Sequence, residues 1–408
     1  MWRASPIKHM KRTQVIIVGA GPVGCVAAYR LALRGVDVLL LESLPRCPED
    51  MRASTFHAPT LGMMDELGLL DRLEAVGLRA PVYQYRNRET GEVLSFDLGE
   101  IADAVKHPYR LQCEQFKLAR LVTSLLAEHP HGEVKFERRL LSFEQDDKGV
   151  TVHVETPLAV ETYQADYLIG VDGANSLVRK WLGVEFEGFT YGEKFLTLTT
   201  DWPMESRFED LAYVSYMADA TEWCVLLRVP SLWRVLVPAV ESDSDAWLVS
   251  DEKKNTVFSG LMGDGASVIT HHRTLYKVHQ RVVTKYNHGR VILAGDAAHL
   301  NNPLGGFGMN SGIHDVWNLT DKLCAILQDG ADPAPLLDRY DRQRRTVMQE
   351  FVQAQSIRNK QDLEIGDDES RRRRQENLEV LMTNDEKRRA YLLTQSMVSS
   401  RVREAEIA

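Results

Sequence analysis

The sequence predicts an α/β fold: a Rossmann-type dinucleotide-binding domain interleaved with a mainly β-sheet domain and followed by a C-terminal helical segment. Three observations carry this expectation. Near the N-terminus a glycine-rich turn joins a short apolar run to a helical pattern of small residues. Far downstream, two more apolar runs each end in an acid–glycine pair. Between those two runs, residues 195–240 switch to a succession of strand-like segments with little helix. A chain of 408 residues exceeds one ordinary core, so two or three structural units are expected.

Residues 14–18 are apolar and stop at a glycine turn, the pattern of a buried parallel strand. A helix is predicted over 23–33, ended by Gly35. A second buried strand covers 36–41, with Glu42 at its end. Leu61, Met64, Leu67 and Leu70 share one side of a helix over 60–73. Residues 83–98 read as a hairpin turning at Glu89-Thr90-Gly91-Glu92, and 115–126 as a helix. Residues 134–143 and 150–154 alternate like strands, separated by Asp146-Asp147-Lys148-Gly149, and 167–171 form a buried strand closed by Asp172-Gly173. The β unit follows, with strands at 195–200, 211–216, 223–228 and 234–238. Residues 290–294 return to a buried strand and 312–325 to a helix. From Pro333 the chain is polar and helical, and the run of four arginines at 371–374 is read as a solvated helix face.

Composition narrows the function classes. With 44% apolar and 26% charged residues the chain reads as a soluble globular enzyme. A formal net charge of -9 argues against a nucleic-acid partner. Cys25, Cys47, Cys113, Cys224 and Cys324 lie far apart without CxxC spacing, which points to a reducing compartment and to neither a disulfide framework nor a metal site. No apolar run is long enough for an integral membrane segment, and the first apolar stretch is broken by glycines rather than forming a signal peptide. A cytoplasmic enzyme is expected.

The turn Gly19-Ala20-Gly21-Pro22-Val23-Gly24 follows a strand and opens a helix. Gly19 makes the tight turn, Gly21 lets backbone approach a pyrophosphate, and Gly24 allows close helix–strand contact. The phosphate would sit at the helix N-terminus, and Glu42 could accept from ribose hydroxyls. These residues alone leave NAD and FAD open.

Two later segments bear on that choice. One is Asp166-Tyr167-Leu168-Ile169-Gly170-Val171-Asp172-Gly173-Ala174-Asn175-Ser176, followed by Arg179. The other is Gly289-Arg290-Val291-Ile292-Leu293-Ala294-Gly295-Asp296-Ala297-Ala298-His299, continued by Pro303-Leu304-Gly305-Gly306-Phe307-Gly308-Met309-Asn310. They resemble the DG and GD motifs of the single-component flavoprotein aromatic hydroxylases, the family of para-hydroxybenzoate hydroxylase, over roughly residues 13–330.

The resemblance implies FAD as cofactor, NADH or NADPH as a transient reductant, and O2 and a small aromatic substrate, phenolic or heteroaromatic, as the other partners. Oxygen transfer would proceed through a flavin C4a-hydroperoxide. A homodimer is left open. The implied domain division is 13–80, 105–182 and 283–330 for the FAD-binding domain, 81–104 and 183–282 for the β-sheet substrate domain, and 331–408 for the C-terminal helices. Asp296 would lie near the ribityl chain, with Gly295 beside it. Gly308, Met309 and Asn310 would open a helix aimed at the flavin N1–O2 edge, whose negative charge on reduction the helix dipole favours. Arg52 and Asp172 would approach the diphosphate, and the Gln115 amide would contact the cofactor. His57 would either face the flavin or cap the following helix.

The substrate would lie beneath the β unit. Tyr216, Arg228 and Arg234 are its candidate partners there, and the Pro303 carbonyl would border it. Asn301-Asn302-Pro303 replaces the Pro-Pro pair common in relatives, which changes the polar lining. A second GxGxxG for a stably bound nicotinamide is absent from the sequence. A flavin-dependent epoxidase or polyketide-tailoring monooxygenase is the alternative. A halogenase is disfavoured, because Trp223 and Trp233 do not form a Trp-x-Trp motif, and a redox-inactive flavoprotein is disfavoured by the intact motifs.

Overall fold

The structure, a computed structural model, describes residues 11–49, 53–219, 222–263, 268–364 and 368–408. Its first sheet is built around Lys11–Val18, which pairs in parallel with Val160–Gly170 on one side and Val38–Leu41 on the other. Val291–Leu293 and Gly132–Lys135 extend this parallel core outward. Ile16, Ile17, Leu40, Leu168 and Ile292 are all fully buried, which is why these strands read as unbroken apolar runs. Val18 pairs with both Leu41 and Gly170, and Gly170 pairs with Leu293. The carboxyl ends of four strands therefore align on one edge, the place where open α/β sheets bind ligands.

Helix Pro22–Leu33 packs against the long helix Phe307–Asp329. Gly312 permits this approach: a Cβ there would lie 2.6 Å from the Val23 side chain and 3.0 Å from the Gly295 Cα.

The second sheet has eight strands in the order His299–Leu300, His272–Val283, Phe186–Thr200, Leu232–Ala239, Cys224–Val229, Val214–Ala218, Val82–Asn87 and Val93–Asp97. Its two faces bury different sets. Phe195, Tyr216, Tyr83 and Phe96 share one core with Leu363 and Leu392 from the C-terminal helices. Leu196, Trp233 and Val235 share another with Val257 and Phe258. Neighbours such as Phe195 and Leu196 thus belong to opposite faces, as strand geometry requires. Helix Asp251–Met262, which carries Val257 and Phe258, is capped by Ser250 accepting from the Lys253 N–H, and the sequence reading contained no helix there.

Three expected elements change shape. The helix over 60–73 is two helices, Ala58–Glu66 and Leu70–Glu74, because Gly68 takes a left-handed φ of 68° between them. The strand over 134–143 divides into Gly132–Lys135 of the parallel sheet and Arg139–Asp146 of a hairpin, with Glu137 at a φ of 54° in the break. The helix over 312–325 starts at Phe307, with Gly306 in the left-handed region as its N-cap. The four arginines at 371–374 fall within helix Asp368–Thr383, and their side chains lie outside the described part. No described helix is long and apolar enough to cross a membrane. All five cysteines are free and buried.

Candidate functional site

One cavity of about 630 Å³ joins the carboxyl edge of the first sheet to the inner face of the second. Its two ends differ in construction. At the first, Gly19, Gly21, Pro22 and Val23 form the wall. Gly19 has a φ of 111°, and a Cβ there would meet the Val171 carbonyl at 2.5 Å. A Cβ on Gly21 would meet nothing within 4 Å. Gly21 is the N-cap of helix Pro22–Leu33 and supplies no side-chain cap, so first-turn N–H groups remain available to an anion. Gly24 does not line the cavity; its missing side chain leaves room for the Gly19 carbonyl, which a Cβ would approach to 1.9 Å.

Glu42 is buried at the end of its strand and also lines this end. It accepts from the Ala20 N–H at 2.9 Å, the Leu44 N–H at 2.9 Å and the Ser43 hydroxyl at 3.0 Å. A carboxylate has about four acceptor sites, so one more donor fits. Asp172 lines the cavity too, yet most of its capacity serves its own helix: it accepts from the Leu177 and Val178 N–H groups and from Ser176. Burial pushes its pKa up against those hydrogen bonds. Gln115 and the exposed Asp296 complete this stretch.

The middle of the cavity is bounded by Gly305, Gly306, Gly308 and Met309, at the uncapped N-terminus of the long helix. Two buried residues behind it hold the loop. The Asn310 amide donates to the Thr55 and Gly306 carbonyls, both at 2.8 Å, and accepts from the His57 N–H at 2.9 Å. The His57 Nε2 donates to the Gly305 carbonyl at 2.7 Å, and the ring stacks on Phe307. Burial, and then the Arg110 charge, lower the His57 pKa to about 3, so the ring is neutral at working pH. His57 and Asn310 are therefore clamps behind the loop and do not face the cavity. The same holds for Gly295: its N–H donates to Asp315 at 3.0 Å, and its small size admits Val23.

Asp315 ties this loop to the chain's last helix. It pairs with His299 at 2.6 Å and with Arg344 at 2.7 Å, and Arg344 pairs in turn with Glu404 at 2.6 Å. All four groups are buried. Arg179 is also a clamp, donating to the Ala297 carbonyl at 2.9 Å and the Ala174 carbonyl at 2.6 Å.

The other end of the cavity lies under the second sheet. Thr197, Val214, Tyr216, Val225, Leu227, Arg234 and Leu236 line it, at alternate positions of four neighbouring strands. Tyr216 stacks on Tyr85 at 4.9 Å. The buried Arg234 donates to the Ser54 hydroxyl at 3.2 Å. Pro303 and Tyr276 close the edge. Arg228 points to the opposite side of its strand, where it is half-buried over the Trp233 ring, so it leaves the set of substrate candidates. Arg52 lies outside the described residues. Arg110, Thr197 and Tyr276 were not anticipated. Each stands in an ordinary strand-like stretch, and only the folded sheets show which side it faces.

These residues fit FAD: two helix N-termini without side-chain caps, glycine walls and a carboxylate with spare acceptor capacity share one elongated cavity. Comparison with known proteins agrees. Residues 12–355 match the family described as FAD binding domain. The chain is 30% identical to para-nitrophenol 4-monooxygenase of Pseudomonas sp. (strain WBC-3) over 343 residues, 83% of this chain and 84% of that protein. It is 32% identical to 6-hydroxy-3-succinoylpyridine 3-monooxygenase HspB of Pseudomonas putida over 361 residues, 86% of this chain and 89% of that one. The crystal structure of p-nitrophenol 4-monooxygenase PnpA from Pseudomonas putida DLL-E4 superposes with a TM-score of 0.89 at 28% identity, covering 94% of this chain and 98% of that one.

Proposed function

The chain belongs to the FAD-binding-domain family and is an FAD-dependent monooxygenase of the aromatic hydroxylase type; on that premise we propose that it hydroxylates a small phenolic or heteroaromatic ring, using O2 and either NADH or NADPH. The observation that carries this reading is the single cavity running from the glycine turn to an aromatic, arginine-bearing chamber under the second sheet. The names of the two relatives contain a nitrophenol and a hydroxypyridine, and single rings of that kind are the substrate class proposed here.

FAD, when bound, supplies electron transfer and oxygen activation. The remaining work falls to the chain. Gly19, Gly21, Pro22 and Val23 would receive the pyrophosphate, with Gly24 keeping the turn closed against its helix. Glu42 would accept from the ribose, Asp296 from the ribityl chain, and Gln115 and Asp172 would flank the diphosphate. Gly308 and Met309 would present N–H groups to the flavin edge. Val214, Val225, Leu227 and Leu236 would exclude water from the ring, while Tyr216, Arg234 and the Pro303 carbonyl would orient it. The domain division given above and a cytoplasmic location belong to the same proposal.

A screen of substrate-stimulated NADH and NADPH oxidation over phenols, hydroxybenzoates and hydroxypyridines tests it. At least one of these classes should accelerate oxidation about tenfold or more and yield a hydroxylated product. A protein that turns over only with chloride, giving a halogenated product, would contradict the reading.

A further inference from the structure

Arg110 brings to the substrate end of the cavity a positive charge that no carboxylate among the described residues pairs with. Its side chain is 1% exposed and lines the cavity. Its guanidinium lies 4.2 Å from the centre of the Tyr83 ring. Among the described residues no carboxylate pairs with it, and its Nε and Nη2 have no hydrogen-bond partner. Two other buried arginines are held differently. Arg344 is held by Asp315 and Glu404, and Arg179 by two backbone carbonyls. A ring face attracts a guanidinium but accepts none of its directed N–H groups. Val214, Val225, Leu227 and Leu236 line the same cavity and are apolar, so bulk water is a poor substitute.

We propose that Arg110 is a specificity-determining residue that selects aromatic substrates carrying an oxygen anion, a carboxylate or a phenolate, over neutral rings of the same shape. The inference rests on the aromatic-hydroxylase reading and deepens it. A planar oxygen anion entering the chamber meets the unsatisfied edge of the guanidinium and supplies the missing countercharge in a site sheltered from water, where such a pair is strongest. Arg234 lines the same cavity. A neutral ring leaves the Arg110 N–H groups unmatched, and a site with unmatched polar groups discriminates strongly. The pyrophosphate of the cofactor is not the intended partner, because the strand Arg110–Gln112 places Arg110 against Tyr83 of the second sheet, while the phosphate-binding turn belongs to the first.

The test is equilibrium binding to the oxidised holoenzyme without reductant, read from perturbation of flavin absorbance. 4-Hydroxybenzoate is compared with 4-hydroxybenzamide, which separates carboxylate from its neutral isostere. 4-Nitrophenol is titrated below and above its own phenol pKa, which separates phenol from phenolate. The expected result is a preference of about tenfold or more for the anion in at least one pair. Arg110→Gln should reduce that preference to within about threefold, with FAD content held and neutral-ring affinity equal or higher, and Arg110→Lys should retain part of it. The inference is overturned if the wild-type protein prefers neither anion, if Arg110→Gln weakens anion and neutral ring equally, or if both Arg110 variants lose FAD. Binding is read apart from turnover, so anion selectivity without any hydroxylated product would sustain this inference and remove the proposed function.

Discussion

The two ends of the cavity are made of different material. The nucleotide end is shaped by backbone and by missing side chains: Gly19, Gly21 and Gly24 on one side, Gly305, Gly306 and Gly308 on the other. The substrate end is shaped chiefly by side chains projecting from alternate positions of a sheet, with Thr197, Tyr216, Arg234 and Tyr276 among its polar members, and Arg110 joins them from the strand Arg110–Gln112 of another sheet. A site built from backbone constrains its sequence tightly, since an added Cβ collides at Gly19, Gly24 and Gly305. A site built from side chains on a sheet tolerates exchange, since the strands stand whatever the inward residue is. One end can therefore stay fixed to FAD while the other is adapted to a particular ring.

The comparison can be broken first at Gly24. Gly24→Ala puts a Cβ 1.9 Å from the Gly19 carbonyl, and the strain should cost about 3 kcal/mol, read as a lower melting temperature and loss of bound FAD. Gly21→Ala is the matched control, because its Cβ meets nothing within 4 Å; the apoprotein should melt normally and only FAD retention should fall. If both variants melt alike, shape at this turn is not what matters.

The second prediction concerns what holds the nucleotide end from behind. Burial alone would raise the pKa values of Asp315 and Glu404, but the groups facing them, His299 and Arg344 for the first and Arg344 and Arg401 for the second, hold both below the usual range. Glu404→Gln leaves Arg344 short of one partner, at a cost of about 3 kcal/mol. Chemical denaturation should show that loss. FAD retention should also fall, since Asp315 holds the Gly295 N–H. Unchanged FAD retention would separate the C-terminal helix from the site.

The third prediction works at the substrate end. Arg234→Gln should leave FAD content intact and raise KM for an anionic ring about tenfold, with a smaller change in kcat. A loss of FAD in this variant would erase the division between the ends.

The last expected effect is in pH. His57 has a pKa lowered to about 3 by burial and the Arg110 charge. In the unfolded chain it takes a proton near pH 6.5, while the folded protein does not until about 3. Its neutral form thus contributes stability that is complete above about pH 6.5 and is lost as pH falls toward 3, by at most about 1.4 kcal/mol per pH unit. Denaturation midpoints measured at several pH values in that window should fall less steeply for His57→Gln than for the wild-type protein.

The same contrast explains what could be read from the sequence. Gly19-x-Gly21-x-x-Gly24, Asp172-Gly173 and Gly295-Asp296 were legible because backbone requirements leave fixed letters at fixed spacing. Clamps were harder to separate from contacts: His57, Asn310 and Gly295 sit in the right motifs, yet face away from the cavity. At the substrate end, Arg228 and Arg234 belong to neighbouring paired strands and look equivalent in one dimension, but only Arg234 faces inward. Arg110 left no trace, since a single arginine in a three-residue strand has no periodicity to reveal its burial.

On the proposed function, one cavity keeps FAD and the aromatic ring at separable ends. The direct measurement is a paired titration of Gly21→Ala and Arg234→Gln, with FAD added to the apoprotein and an anionic ring added to the oxidised holoenzyme. Gly21→Ala should weaken FAD about tenfold or more with ring affinity within about threefold of wild type, and Arg234→Gln should do the reverse. Equal losses of both ligands in either variant would contradict it.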